Sequence, residues 1–281
     1  MRLLPLLLVL LMAAAGCRTP QGSLTWTGNA PPPDETLPQR TQLEGRPSPS
    51  RIPSLTLLDQ RAWSSQAGLP APLTGVNKPE GLALRFRRGV PPETPGFVPR
   101  SRGGLDLFLA DPVDDGHWLA FYKGVCGSLG DVCRYRAVLH DRSGDVRWDV
   151  DLNAFLENDR YVEIQDVRYA DGALYFNEAC ATYAAEAGGQ CSSLVRLDPE
   201  WRELTWRTPP LVSNNVFILH EDIVIAGYGF TAEPDALYLV DRQTGRLRAR
   251  TDLDAAPHYL EVQDGRLHVL TYESWYTFDL D

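Results

Sequence analysis

The side chains that most often do chemistry, histidine and cysteine, occur here without the spacing that catalysis needs. None of the five histidines lies in a metalloprotease-type H-E-x-x-H motif. They are His117, His140, His220, His258 and His268. The chain also has no G-x-S-x-G nucleophile motif, no phosphate-binding P-loop and no dinucleotide-binding glycine pattern. The sequence therefore predicts no catalytic residue, no metal ligand and no cofactor.

One segment begins like a calcium-binding loop. Asp149, Asp151 and Asn153 alternate as the first ligands of an EF-hand do. Ala154 stands where that loop needs a glycine, and Arg160 stands where it needs a bidentate glutamate. The end of a solvated strand is the better interpretation of these residues.

The elements that must position all these side chains come from a repeat. From about residue 104 onward the chain runs four times through a strand, an acidic turn, a strand, a variable loop, a strand ending in Asp, a turn and a last strand. The strand-ending residues are Asp141, Asp198, Asp241 and, in a clipped fourth copy, Asp279. Short runs of Val, Leu, Tyr and Trp between turn residues are typical of four-stranded antiparallel meanders. Their repetition predicts an all-β fold, a small β-propeller.

The turn before the last strand resembles the D-x-x-T-G-x-x-x-W repeat of quinoprotein-like β-propellers. Residues 241–245 match its start, whereas Trp148 and Trp206 match its end in the first two copies and Ala249 replaces Trp in the third. The resemblance implies that the Asp caps the turn, that the Gly adopts positive φ and that the Trp packs on the next blade. It implies the fold and not the cofactor, because quinoproteins hold theirs with a vicinal disulfide and this chain has no adjacent cysteines.

Four copies are few for a ring of this repeat class, so we expect about five blades. Residues from about Ser54 to Arg102 would supply either a further blade or the missing outer strand of the fourth copy. Residues 54–59 and 82–86 read as strands of the right kind. A four-bladed or open ring is the alternative.

Four cysteines fall inside the repeats, and the register of the repeats selects their pairing. Cys126 and Cys133 bracket the loop between the second and third strands of the first copy, and Cys180 and Cys191 bracket the same loop of the second. We therefore predict two local disulfides, each stabilising its loop by roughly 2–3 kcal/mol. A four-cysteine zinc site is the alternative, but neither pair has the C-x₂₋₄-C spacing.

The first seventeen residues resemble the signal peptide of bacterial lipoproteins. Arg2 precedes an apolar run that is too short to span a bilayer, and small residues lead directly to Cys17. The resemblance implies cleavage after Gly16, acylation of Cys17 and anchoring in the cell envelope. Arg18, rather than Asp, follows the cysteine, which implies the outer membrane, on its periplasmic face or at the cell surface.

Composition divides the chain into three segments. Residues 1–16 are the signal peptide, residues 17–52 form a proline-rich linker, and residues 53–281 form the propeller. The formal net charge of −10 offers no broad positive surface to nucleic acid, which argues against a nucleic-acid partner. The oxidising envelope is also the compartment in which disulfides persist.

The function that these features favour is non-enzymatic protein binding, possible roles being outer-membrane assembly or surface organisation. The second-to-third-strand loops and the connections between blades emerge at one end, and they carry five aromatic residues interleaved with acids. We predict that these residues contact a partner: Tyr183, Tyr228, Phe230, Tyr272 and Trp275. A glycan-binding or carbohydrate-active propeller is the alternative function, and hydrolysis would require a carboxyl pair in the central channel.

Overall fold

The structure is a computed structural model that describes residues 54–64, 68–71, 73, 90–113, 116–125, 132–230 and 232–280. The chain divides into two compact units, Met1–Pro47 and Ser48–Asp281, and the described residues belong to the second. The signal peptide, Cys17 and the whole linker lie outside the described residues, as do Cys126 and the strand predicted over residues 82–86. A short 3₁₀ helix spans Leu152–Phe155. No helix in the described part is long and apolar enough to cross a bilayer.

Strand β1, Leu55–Ala62, is followed by strands that build antiparallel sheets from consecutive segments of chain. The first sheet contains β2 (Ser101–Arg102), β3 (Leu105–Pro112), β4 (Trp118–Lys123), β5 (Tyr135–His140) and β6 (Val146–Asp151). In the second sheet, β7 (Val162–Glu163) and β8 (Val167–Ala170) both pair with β9 (Ala173–Cys180), followed by β10 (Ser193–Asp198) and β11 (Glu203–Arg207). The third contains β12 (Ile218–His220), β13 (Ile223–Tyr228), β14 (Ala236–Asp241) and β15 (Leu247–Asp252).

The fourth sheet is completed by the strand that comes first in the chain. It contains β16 (Tyr259–Gln263), β17 (Arg266–Leu270) and β18 (Ser274–Leu280), and β1 pairs antiparallel with β18 as the outer strand. The described residues thus form four sheets, rather than the favoured number of about five. The reason is that residues 55–62 supply the missing outer strand of the clipped copy instead of starting another sheet.

The inner strands of all four sheets surround one cavity of about 330 Å³. Its lining includes Val113, Leu119, Tyr169, Leu219 and Val262. Alternate residues of each strand point to opposite faces, and three hydrophobic clusters join the first sheet to the second, the second to the third and the third to the fourth. Meandering sheets packed face to face around an axis define the fold. The domain is a β-propeller.

The first and fourth sheets each have one face that does not pack on a neighbouring sheet. Preceding segments of the chain cover these two faces instead. No hydrophobic cluster among the described residues joins these two sheets. On the first sheet, Phe97 and Val98 pack on this face, and on the fourth sheet Trp63, Leu69 and Leu73 do so. Segments preceding the first sheet therefore take the place that a neighbouring sheet occupies elsewhere. We call this face of the fourth sheet, which bears Tyr259, His268, Leu270, Trp275 and Thr277, the seam face.

The Asp-containing turns explain how consecutive sheets dock. Oδ1 of Asp241 accepts hydrogen bonds from the backbone N–H groups of Gln243 and Thr244, at 3.1 and 2.7 Å. Gly245 then adopts φ +72°, and a Cβ atom there would lie 2.7 Å from the Trp206 ring of the preceding sheet. Trp206 Nε1 also donates to the carbonyl of Arg242 at 3.2 Å. The tryptophan of one sheet is thus seated on the glycine of the next.

The other sheets depart from this arrangement for structural reasons. In the turn of the second sheet Arg202 adopts φ +54° in place of a glycine, and Nε1 of Trp148 is buried without a hydrogen-bond partner. On the turn of the first sheet, Phe97 is seated on Gly144, where an added Cβ would lie 2.9 Å from Phe97 Cβ. Ala249 of the third sheet has no glycine turn to dock on, because β18 and β1 are not consecutive in the chain.

Candidate functional site

The loops between the second and third strands of the four sheets emerge at one end of the domain, which we call the loop end. Their described residues are 124–125 with 132–134, 181–192, 229–230 with 232–235, and 271–273. Antiparallel strands reverse direction at every connection, so the connections between sheets emerge at this end too. The residues predicted to contact a partner fall in or beside these loops.

Three of the five predicted contact residues reach the surface. Tyr183 and Tyr272 are each 41% exposed, whereas Phe230 is partly buried against the cluster between the second and third sheets. The ring centroids of Tyr183 and Phe230 are 5.7 Å apart, although the two residues belong to loops of neighbouring sheets. The ring of Tyr272 lies 5.5 Å from that of His258. The loop end therefore presents an aromatic pair and a second exposed ring.

The structure corrects the prediction for the other two aromatic residues. Tyr228 is 3% exposed, because it ends β13 on the same face as Val224 and Ala226, which packs on the second sheet. Trp275 is 8% exposed and packs with Tyr259 on the seam face, where the Arg61 guanidinium lies 4.5 Å from its ring centroid. Both rings are part of the core and are unavailable to a partner.

A disulfide closes the loop that carries Tyr183. Cys180 and Cys191 are bonded, with their Cα atoms 5.0 Å apart. Inside this loop, backbone N–H groups of Gly189 and Ala187 both donate to the carbonyl of Ala184, at 2.7 and 3.1 Å. Cys133 is also disulfide-bonded, and its predicted partner Cys126 lies outside the described residues. The Tyr183 loop is thus held both covalently and by its own backbone.

Glu233 ties this loop to the corresponding loop of the third sheet. Its Oε1 accepts a 2.7 Å hydrogen bond from the backbone N–H of Ala184, and its Oε2 accepts one from the Tyr228 hydroxyl. Burial and the nearby Glu233 carboxylate raise the pKa of Tyr228 far above its ordinary value, so the phenol remains a donor. The Tyr183–Phe230 pair therefore rests on two loops joined by a carboxylate.

Asp254 makes the equivalent link between the third and fourth sheets. Its carboxylate accepts hydrogen bonds from the hydroxyls of Thr271 and Ser274, which flank the loop that carries Tyr272. Ala256, in the same connection as Asp254, lies against Gly229 of the loop that carries Phe230. A Cβ atom added at Gly229 would be 2.8 Å from Ala256 Cβ. The three loops that carry Tyr183, Phe230 and Tyr272 are consequently connected. We call these three residues and their loops the platform.

Glu178 lies beneath the platform in a buried ion pair. It is 2% exposed and accepts two hydrogen bonds from Arg207, each 2.9 Å long, together with one from the backbone N–H of Glu157. Arg207 also donates to the Glu157 carboxylate and to the carbonyl of Phe155. Burial raises the pKa of Glu178, while Arg207 lowers it. This pair fixes the connection that leads from the first sheet to the second.

The acids interleaved with the aromatic residues of the loop end have unequal roles. Glu178 and Glu233 join segments of the fold, Glu186 accepts a hydrogen bond from Thr182, and Glu273 is exposed. Sequence reasoning missed Asp254 and the buried ion pair between Lys123 and Glu163. No spacing signal marks either, since each partner comes from a distant segment. Among the described residues, no cluster of His, Cys, Asp and Glu could hold a metal ion.

Comparison with known proteins gives likenesses among solved structures only. The chain is similar to a protein of unknown function from Bacteroides caccae, at 12% identity and a TM-score of 0.44, over 61% of this chain and 58% of that one. It is similar to BamB from Moraxella catarrhalis, at 12% identity and a TM-score of 0.29, over 63% and 70%. It is also similar to a europium-containing methanol dehydrogenase, at 12% identity and a TM-score of 0.31, over 53% and 27%. No family model and no curated protein matches the chain.

Acid should destabilise the domain through His258. This ring is 6% exposed between Trp63 and Tyr272, and burial lowers its pKa to about 4. Between pH 6.5 and 4 the unfolded chain binds a proton that the folded domain does not, so stability falls across that window as the pH falls. We expect His258→Phe, which keeps an aromatic ring, to reduce the loss between pH 7 and pH 5 by about 2 kcal/mol, measured by urea unfolding.

Other groups in the domain give this experiment its internal control. Burial also lowers the pKa values of His140 and His268, which add to the loss in acid. Burial, Asp254 and Glu233 raise the pKa of Asp235 to about 6, which favours the folded state in acid. His258→Phe leaves these contributions in place, so the difference between the variant and wild type isolates His258. Equal pH dependence in the two proteins would contradict the assignment.

Proposed function

We propose that this chain is a non-enzymatic β-propeller scaffold that binds a protein partner through the platform and is held at the cell envelope by lipid on Cys17. The observation that supports protein binding is the joining of three loops, from three sheets, beneath exposed rings. A partner would meet a surface that is already ordered, which reduces the conformational entropy lost on binding. Aromatic side chains supply large contact areas with few rotatable bonds.

The cross-links beneath the rings support binding of a macromolecule. The disulfide, the Glu233 bridge and the Asp254 bridge all restrain the loops that carry the rings. Tyr183 and Tyr272 stand outward from that frame, as the central contacts of a protein interface do. Outer-membrane assembly and surface organisation are the processes in which we place the partner.

The platform is tested by removing its three rings together. We expect the triple variant Tyr183→Ala, Phe230→Ala and Tyr272→Ala to recover at least about tenfold less partner than wild type in affinity capture from the native envelope, because central aromatic contacts carry most of the binding energy. The melting temperature by circular dichroism should fall only modestly, because the two tyrosines are substantially exposed and only Phe230 packs partly against the core.

The matched control removes an exposed ring elsewhere. Trp201 is 77% exposed in the turn between β10 and β11, which emerges opposite the loop end. Trp201→Ala should recover the same partner as wild type. Undiminished recovery by the triple variant would reject the platform as the binding surface. Envelope anchoring is tested in the same cells. The Cys17→Ala variant should be lost from the membrane fraction.

A further inference from the structure

The seam face of the fourth sheet carries a row of polar side chains, unlike the opposite, apolar face of the same strands. Glu261, His268, Thr277 and Asp59 lie directly opposite one another across β16, β17, β18 and β1. The opposite face of the same strands bears Leu260, Leu267, Val269, Tyr276 and Phe278, which pack on the third sheet. A row of hydrogen-bonding side chains on one face indicates a surface that is not built for packing alone.

His268 holds a defined orientation and tautomer in that row. The residue is 7% exposed, and its Nδ1 accepts a 3.3 Å hydrogen bond from Nε1 of Trp275. The Thr277 hydroxyl lies 3.3 Å from the same nitrogen. An indole nitrogen can only donate, so Nδ1 of His268 is unprotonated and the neutral ring carries its proton on Nε2. Burial lowers the pKa of His268, which keeps the ring in this neutral form.

A cleft of about 440 Å³ opens beside His268. Its polar walls combine Gln263, Asp264, Arg266 and Thr277 with the Asp59–Arg61 ion pair at the rim. Oε1 of Gln263 is buried without a hydrogen-bond partner, and no described residue accepts the proton on Nε2 of His268. An unsatisfied buried polar atom costs about 1–3 kcal/mol. Oε1 of Gln263 therefore carries that cost, and the N–H of His268 Nε2 is a further donor that no described residue uses.

The charges of the cleft balance. Asp59 and Asp264 are matched by Arg61 and Arg266, so the lining has no net charge to favour an ion. An apolar ligand would leave Gln263 and His268 unsatisfied. A hydroxyl group can both donate and accept hydrogen bonds. A ligand rich in hydroxyls could therefore satisfy both the Gln263 acceptor and the His268 donor. The volume lies in the range of pockets that hold small molecules.

We propose that the cleft on the seam face binds a neutral, hydroxyl-rich ligand, namely one or two sugar residues. Oε1 of Gln263 accepts a hydrogen bond from one hydroxyl, and the N–H of His268 Nε2 donates to another. Arg266 and Asp264 bind the hydroxyls nearer the rim. Trp275 positions His268 through the hydrogen bond that its indole N–H donates to Nδ1.

The test titrates the full-length chain with neutral sugars. The panel is glucose, galactose, mannose, N-acetylglucosamine, maltose, lactose and cellobiose, followed by saturation-transfer NMR and calorimetry. We expect at least one of them to bind with a dissociation constant on the order of 1 mM. Gln263→Leu, which keeps the side-chain volume and removes the acceptor, should weaken that binding about tenfold. His268→Phe should have a similar effect.

Control variants separate this site from the platform and from damage to the fold. Arg250→Ala changes an exposed residue of the third sheet, and Tyr183→Ala changes the platform; both should leave sugar binding unchanged. Gln263→Leu removes an unsatisfied buried acceptor and should not lower the melting temperature, so its effect on sugar binding is informative even if His268→Phe unfolds. Three results would each overturn the proposal: no saturable binding of any neutral sugar, binding that Gln263→Leu leaves intact, or a preference for glucuronate or glucosamine over neutral sugars.

Discussion

Replacing Arg207 by leucine is expected to lower the free energy of unfolding by about 3–5 kcal/mol. The substitution leaves the Glu178 carboxylate 2% exposed with a single remaining donor, the backbone N–H of Glu157. The lost Arg207 hydrogen bonds had opposed the effect of burial on the pKa of Glu178, so that pKa should rise further in the variant. Urea unfolding followed by tryptophan fluorescence gives the free energy directly.

The pH dependence and two comparison variants identify the cause of that loss. A carboxyl whose pKa is raised in the folded state loses stability as the pH rises, so the deficit should be larger at pH 8 than at pH 5. Arg250→Leu removes a solvent-exposed ion pair with Asp252 and should cost less than about 1 kcal/mol. Adding Glu178→Leu to Arg207→Leu should restore part of the stability. A deficit in Arg207→Leu below that of Arg250→Leu would contradict the buried-pair account.

Gly245→Ala is expected to cost about 3 kcal/mol, although it adds one methyl group. The residue has φ +72°, and the new Cβ would lie 2.7 Å from Cδ2 of Trp206. The substitution therefore combines backbone strain with displacement of the ring that seats the second sheet on the third. Thermal unfolding followed by circular dichroism measures the loss, and near-ultraviolet spectra report the Trp206 environment.

Gly172 separates these two contributions. It has φ +74°, and an added Cβ would meet no atom within 4 Å. Gly172→Ala should therefore cost only the backbone strain, about 1 kcal/mol. If the two alanine variants lose equal stability, contact with Trp206 adds nothing and the docking role of Gly245 is disproved.

The repeat predicted most of the strands because each one combines an apolar period of two with a turn at its end. The Asp241 turn and the seating of Trp206 on the next sheet follow from the same motif. Sheet number was harder to predict, since strand-forming residues near position 55 could pair with β18 or begin a new sheet. That choice depends on contacts across the whole domain, which no local pattern reports.

The candidate site could be predicted only in part. The loops and their shared end followed from topology, whereas the burial of Tyr228 and Trp275 depended on where each strand ends. Alternation with Val224 and Ala226 was the available signal for Tyr228. The bridges made by Glu233 and Asp254 carry no such signal, because their partners lie on other segments and any exposed acid has the same appearance in sequence.

Pairing of β1 with β18 makes the last step of assembly a long-range one. Gln60 and Tyr276, hydrogen-bonded across this pair, are 216 positions apart, whereas the other sheets are built from strands that follow one another. Closing so long a loop is slow compared with forming local hairpins. Until it closes, β18 exposes an unpaired edge that can accept residues 55–62 of another molecule. Strand exchange between copies is thus the natural misassembly of this protein, and crowding during synthesis would promote it.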